Sequence, residues 1–131
     1  MTPPQHEAAM ARRILGEERI HPAVRAKVGD HHADIVREVD AAVAANDVVV
    51  VGMRQNPMPR RARKALDAEG IAYQYLEYGS YFNTWRRRNA LKMWTGWPTF
   101  PMIFVKGVLI GGATDLEKLI GSGELARLLG R

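Results

Sequence analysis

The run Val48-Val49-Val50-Val51-Gly52-Met53 places the tightest constraint on the fold. It is short, wholly apolar and rich in β-branched residues, so it reads as a strand without a polar face. Such a strand belongs inside a sheet covered on both sides, the usual setting of parallel pairing. Helices must then flank it in sequence and in space. Upstream, "ADIVREVDAAVAAND" repeats apolar residues at Ile35, Val36, Val39 and Val43 and predicts an amphipathic helix. Downstream, "RRARKALDAEG" predicts a helix over residues 60–70, closed by Gly70 in the C′ position.

The pattern continues with "IAYQYLEY", where Ile71, Tyr73 and Tyr75 alternate with Ala72, Gln74 and Leu76 as in a strand. "SYFNTWRRRNALKMW" predicts a further helix, and "PMIFVKGVLIGG" predicts a hairpin turning at Lys106-Gly107. "ATDLEKLI" and "GELARLL" are two short helices separated by Gly121-Ser122-Gly123. From residue 48 the order is β-α-β-α-β-β-α. That order predicts an α/β fold with a four-stranded mixed sheet between helices. Residues 1–33 precede it as a helical extension: "HEAAMARRILGEE" has helical spacing, and a second helical stretch follows His21-Pro22. The expected domains are therefore the extension, 1–33, and the α/β domain, 34–131.

Absence of cysteine narrows the chemistry most. None of the 131 residues is Cys, which excludes disulfides, thiolate catalysis, Cys-ligated zinc and protein-ligated iron–sulfur clusters. No apolar run approaches the ~20 residues of a membrane helix, and the first residues lack the apolar core of a signal peptide. A cytoplasmic protein is expected. His31 and His32 with Asp34 are too few and too divergent in direction for a metal site. Ser80, Ser122 and the four histidines form no nucleophile–base constellation. No catalytic residue and no metal ligand is assigned.

Charge is unevenly spread. Residues 1–46 hold six Lys/Arg against seven Asp/Glu, and residues 47–131 hold thirteen against seven. Nine of those thirteen cations form two clusters: Arg54, Arg60, Arg61, Arg63 and Lys64, then Arg86, Arg87, Arg88 and Lys92. Clusters of this kind favour anionic partners; a solvated basic face is the other reading. The basic and aromatic mixture also suits nucleic acid, but no nucleic-acid motif accompanies it, so that partner is not expected. The loop "QNPMPRRAR" joins the buried strand to the next helix. In α/β proteins such loops often hold the chemistry, yet this one has no Cys, Ser, His, Asp or Glu. Like charge at a helix N-terminus is unfavourable by about 0.3–1 kcal/mol per residue. Arg60, Arg61, Arg63 and Lys64 are therefore either projected into water or used on an anion.

The block "WPTFPMIFVKGVLIGG", from Trp97 to Gly112, with "ATDLEKLIGSGELARLL" after it, strongly resembles the C-terminal half of glutaredoxins, the monothiol class in particular. "VDAAVAANDVVVVGM" resembles the opening of the same proteins, and the likeness spans roughly residues 34–131. It implies the thioredoxin fold. It places Asn56-Pro57-Met58-Pro59 where a dithiol member has Cys-Pro-Tyr-Cys; anchoring on Arg54 as the family's active-site lysine would move the nucleophile position to Pro57. No placement supplies a thiol. Disulfide exchange needs a thiolate, so the resemblance implies a redox-inactive member without an iron–sulfur cluster.

The resemblance also implies glutathione-binding positions. Arg54 and Arg88 would meet the glycine carboxylate. Thr99, Phe100 and Pro101 would form the Thr-x-Pro turn, with Pro101 cis and the Phe100 backbone facing the cysteinyl part. Gly112, Ala113 and Thr114 would grip the γ-glutamyl end, with Asp115 next to them. The expected function is thus binding of glutathione, another small anion or a protein partner in the former active-site groove. Two alternatives stand beside it. One is a glutathione-dependent transferase-like enzyme, for which Tyr78 and Tyr81 are the nearest hydroxyls. The other is an interaction module with an empty groove, acting through residues 1–33, which can cover a sheet edge, form a homodimer contact or recognise a partner.

Overall fold

The computed structural model describes residues 12–54, 56–79 and 85–131. It divides into two compact units, one ending at His31 and one from His32 to Arg131. In the first, a short 3-10 turn at Glu17–Arg19 precedes helix α1, Pro22–Asp30. The His21 Nδ1 atom accepts from the Ala23 N–H at 3.0 Å and caps α1, and Pro22 takes the first turn, where its missing N–H is not needed. The expected helix over 6–18 lies partly outside the described residues. Within them, 12–16 are not helical. Gly16 is extended, with φ −67° and ψ 151°, and ends any helical run there.

The second unit runs α2 (Ala33–Ala45), β1 (Val48–Gly52), α3 (Pro57–Ala68), β2 (Gln74–Glu77), α4 (Trp85–Thr95), β3 (Met102–Val105), β4 (Val108–Gly111), α5 (Ala113–Gly121) and α6 (Glu124–Leu128). The expected helix over 80–94 lies outside the described residues between 80 and 84. The strand order is β2-β1-β3-β4. β1 pairs parallel with β2 and antiparallel with β3, and β3 pairs antiparallel with β4. The hairpin turns through Lys106 and Gly107 with φ of 51° and 82°, the two positive values that a tight right-twisted connection demands.

The valine run explains the layering. Val49 and Val51 pack under α2 and α4 against Ile35, Val39, Ala90 and Leu91. Val48 and Val50 pack on the other face with Ala62 and Leu66 of α3, Leu116 of α5 and Leu125 of α6. All four valines are at most 1% exposed. Each buried valine contributes roughly 1.5–3 kcal/mol, so one strand anchors both helical layers.

β2 is shorter than the alternation over 71–78 predicts. Its ladder follows β1 from Val49 opposite Gln74 to Gly52 opposite Glu77, and residues 71–73 stay outside it. α3 is longer than expected: it starts at Pro57, three residues early, because Asn56 caps it.

Gly52 lets α3 approach the end of β1. A Cβ there would stand 2.8 Å from the Pro59 Cβ and 2.8 Å from the Tyr75 hydroxyl. The tyrosine tip can swing aside, but the proline ring cannot move without the helix. Gly52→Ala is therefore expected to lower stability by about 1–3 kcal/mol in urea denaturation; a loss below half a kilocalorie would show that α3 is not pressed against this strand end.

Candidate functional site

The chain crosses from β1 to α3 through Met53, Arg54 and Asn56, and this loop faces the turn before β3. Asn56 joins the two. Its Oδ1 accepts from the Met58 N–H at 3.0 Å, capping α3, and its Nδ2 donates to the Phe100 carbonyl at 3.1 Å. The Phe100–Pro101 peptide is cis, as the Thr-x-Pro turn implied. Beyond the hairpin, α5 begins at the same end of the sheet. Asp115 Oδ2 accepts from the Gly112 N–H at 2.9 Å, holding the first turn from inside.

These elements enclose a groove of about 450 Å³. Met53, Asn56 and Met58 form one wall, Trp97 to Pro101 the second, and Gly112 to Asp115 the third, with Lys92 above them. The volume falls in the range of small-molecule sites, and a largely apolar lining with a few polar groups fits that class too. Lys92 has no carboxylate partner among the described residues; its Nζ stands 5.8 Å from the Phe100 ring centroid, a cation–π contact. The N–H groups at the start of α5 add a partial positive charge. Asp115 is the acid in the lining. The Trp97 Nε1 atom is buried with no hydrogen-bond partner.

The expected site residues divide clearly. Asn56, Met58, Thr99, Phe100, Pro101, Gly112, Ala113 and Thr114 come together around the groove. Arg54 and Arg88 do not line it. Arg54 points to solvent, 74% exposed, with Nε 3.6 Å from Glu77. Arg88 is 5% exposed, and its Nη1 donates to the Tyr78 carbonyl at 3.2 Å. Pro59 is buried in the first turn of α3, facing the end of β1, and Pro57 lines a separate hollow with Arg60, Arg61 and Lys64.

The two basic clusters take different directions. Arg61 bonds Glu117 at 2.9 Å and ties α3 to α5. Arg87 bonds Asp34 at 2.9 Å and ties α4 to α2. Exposed pairs of this kind contribute at most about 1 kcal/mol. Within α4 it is Lys92, one turn beyond Arg88, that reaches the groove. The missed residues are Lys92, Met53, Trp97 and Pro98. For the last two the signal was present, since Trp97-Pro98 adjoins the turn.

Tyr78, a hydroxyl considered for thiolate stabilisation, is not in the groove lining. It is buried and donates to Glu38 Oε1 at 2.6 Å. Burial, then the Glu38 carboxylate, push its pKa up from the usual tyrosine value. Tyr75 is raised to about 12, by burial first and then by its hydrogen bond to Glu77 at 3.1 Å. Tyr81 lies outside the described residues.

A parallel–antiparallel sheet of this order, with a cis-proline turn opposite the start of the first covering helix, defines the thioredoxin-like class. The comparisons go further. The glutaredoxin family model matches residues 48–110. A glutaredoxin-like protein of Dictyostelium discoideum is 45% identical over 98 residues, covering 75% of this chain and 80% of the relative. Human mitochondrial Glutaredoxin-2 is 32% identical over 99 residues, covering 72% of this chain and 57% of that protein. Among solved structures, oxidized glutaredoxin 2 from Chlamydomonas reinhardtii superposes with a TM-score of 0.66 at 28% identity, covering 76% of this chain and 94% of that one. A buckwheat glutaredoxin–glutathione complex has the same fold, with a TM-score of 0.66 at 24% identity, covering 77% of this chain and 92% of that one. The chain belongs to the glutaredoxin family, and it contains no cysteine.

Two outcomes test this geometry. Asn56→Ala loses both the cap and the link to Phe100 and should lower stability by about 0.5–2 kcal/mol, whereas Asn56→Asp keeps the cap and should lose less; equal losses would mean the Phe100 link dominates. Raised phenol pKa values mean that the folded state holds its protons while the unfolded tyrosines, near 10, release theirs. Stability is then intact below pH 10 and declines as pH rises towards about 12. Tyr75→Phe should flatten that decline in alkaline denaturation curves.

Proposed function

We propose that the chain binds glutathione, or a small anion of similar chemistry, in the groove between Asn56, Pro101 and Gly112, and that it carries out no thiol–disulfide exchange. The observation that carries this reading is Asn56. It stands at the start of the covering helix, in the Asn56-Pro57-Met58-Pro59 stretch where the family resemblance puts the thiol positions, and its amide bonds the Met58 N–H and the Phe100 carbonyl. The groove is kept open and ordered without a nucleophile.

The ends of the groove suit glutathione. Lys92 and the first N–H groups of α5 favour carboxylates. Asp115 lies beside them for an ammonium, although one of its oxygens already accepts from Gly112. Thr99 and Thr114 offer hydroxyls at the exposed rim. The buckwheat complex shows glutathione on a protein of this fold and supports glutathione as the first ligand to try. Disulfide exchange would need an attacking thiolate, and the chain has none to offer.

The test is a calorimetric titration of the full chain with reduced glutathione, alongside a standard disulfide-exchange assay. Saturable binding is expected, about ten-fold weaker in Lys92→Ala, the loss of roughly one charge-assisted contact, with no exchange activity in either protein. Binding that Lys92→Ala leaves unchanged would remove the groove from consideration, and measurable exchange would overturn the redox-inactive reading.

A further inference from the structure

The groove has an apolar middle between polar ends. Around Asn56 its lining is Met53, Met58, Trp97, Phe100 and Pro101. Met53 and Phe100 are 6% and 5% exposed, and Met58 is half-buried. Asn56 has half of its hydrogen-bonding capacity committed to the protein itself. Its oxygen accepts from Met58, and one of its two amide hydrogens goes to Phe100. The Phe100 carbonyl spends one of its two lone pairs on that bond. Charge is confined to Lys92 and Asp115.

A free thiol seated here would be a weak donor facing mostly methionine and aromatic carbon. Methionine thioethers are flexible and polarizable, and they fit apolar groups of varied shape. We propose that the groove prefers glutathione thioethers, in which an apolar group is carried on sulfur, over the free thiol. This rests on the glutathione binding proposed above and specifies its ligand class. The peptide carboxylates are held at the ends by Lys92 and the start of α5, and the sulfur substituent lies along Met58 and Met53. No bond is made or broken.

The full chain is titrated calorimetrically with reduced glutathione, S-methylglutathione, S-hexylglutathione and S-hexylcysteine. Affinity should climb along the S-alkyl series, with S-hexylglutathione about ten-fold or more tighter than the free thiol, the effect of burying about two methylene groups. S-hexylcysteine, which lacks the flanking residues, should bind far more weakly. In Met58→Gln the ratio between S-hexyl and reduced forms should fall below about three-fold. Should that variant fail to fold, methyl resonances of the unmodified chain decide the same point: the hexyl group should shift Met53 and Met58 beyond what reduced glutathione does. Equal affinity for reduced and S-hexyl forms overturns the preference and leaves glutathione binding standing. An S-hexylcysteine affinity matching that of S-hexylglutathione would mean that the peptide ends are not held, and it overturns the glutathione reading together with the preference. If no glutathione form binds, both readings fall.

Discussion

Everything in the α/β unit hangs on a strand that has no outside. β1 presents alternate valines to two helical layers, with Val49 and Val51 under α2 and α4, and Val48 and Val50 under α3, α5 and α6. Its neighbours inherit their length and register from it. β2 pairs only along Val49–Gly52, and β3 lies opposite Val48–Val51. The site follows from the same constraint. Where β1 ends at Gly52 the chain must leave the sheet, and the lack of a side chain lets Pro59 and α3 close over the exit.

At that exit two independent segments have to meet, the β1–α3 loop and the Thr99–Pro101 turn. The amide of Asn56 does this with one side chain, serving a helix end through oxygen and a turn carbonyl through nitrogen. A carboxylate could do only the first, and a thiol could do neither as well. Asn56 is therefore a structural joint between the helix end and the turn.

Much of this was legible in the sequence because it depends on local pattern. Four valines in a row announce a strand buried on both faces, Lys106-Gly107 announces a hairpin, and Gly70, with φ of 66°, announces a helix stop. The residues of Trp97 to Thr114 carried the turn and the start of α5. What could not be read were the directions of the long cations. Arg88 and Lys92 are four residues apart on one helix, yet one is drawn into the backbone of Tyr78 and the other stands over Phe100. Arg54 turns outwards, with its Nε 3.6 Å from Glu77. The start of α3 was misplaced for a related reason: Asn56 is an unremarkable loop residue until the Phe100 carbonyl is known to face it.

The joint at Asn56 also changes how the molecule meets its surroundings. A site organised by a thiol exists in several forms, since the thiol can be ionised, oxidised or capped, and each form has its own shape and charge. An amide that is hydrogen-bonded on both sides has a single form across ordinary pH and redox potential. The residues of the groove open to oxidation are Met53 and Met58, and Met53 is almost wholly buried. The groove of this family member therefore holds no thiol for an oxidant to switch, and the sulfur left in its wall within reach of solvent is the thioether of Met58.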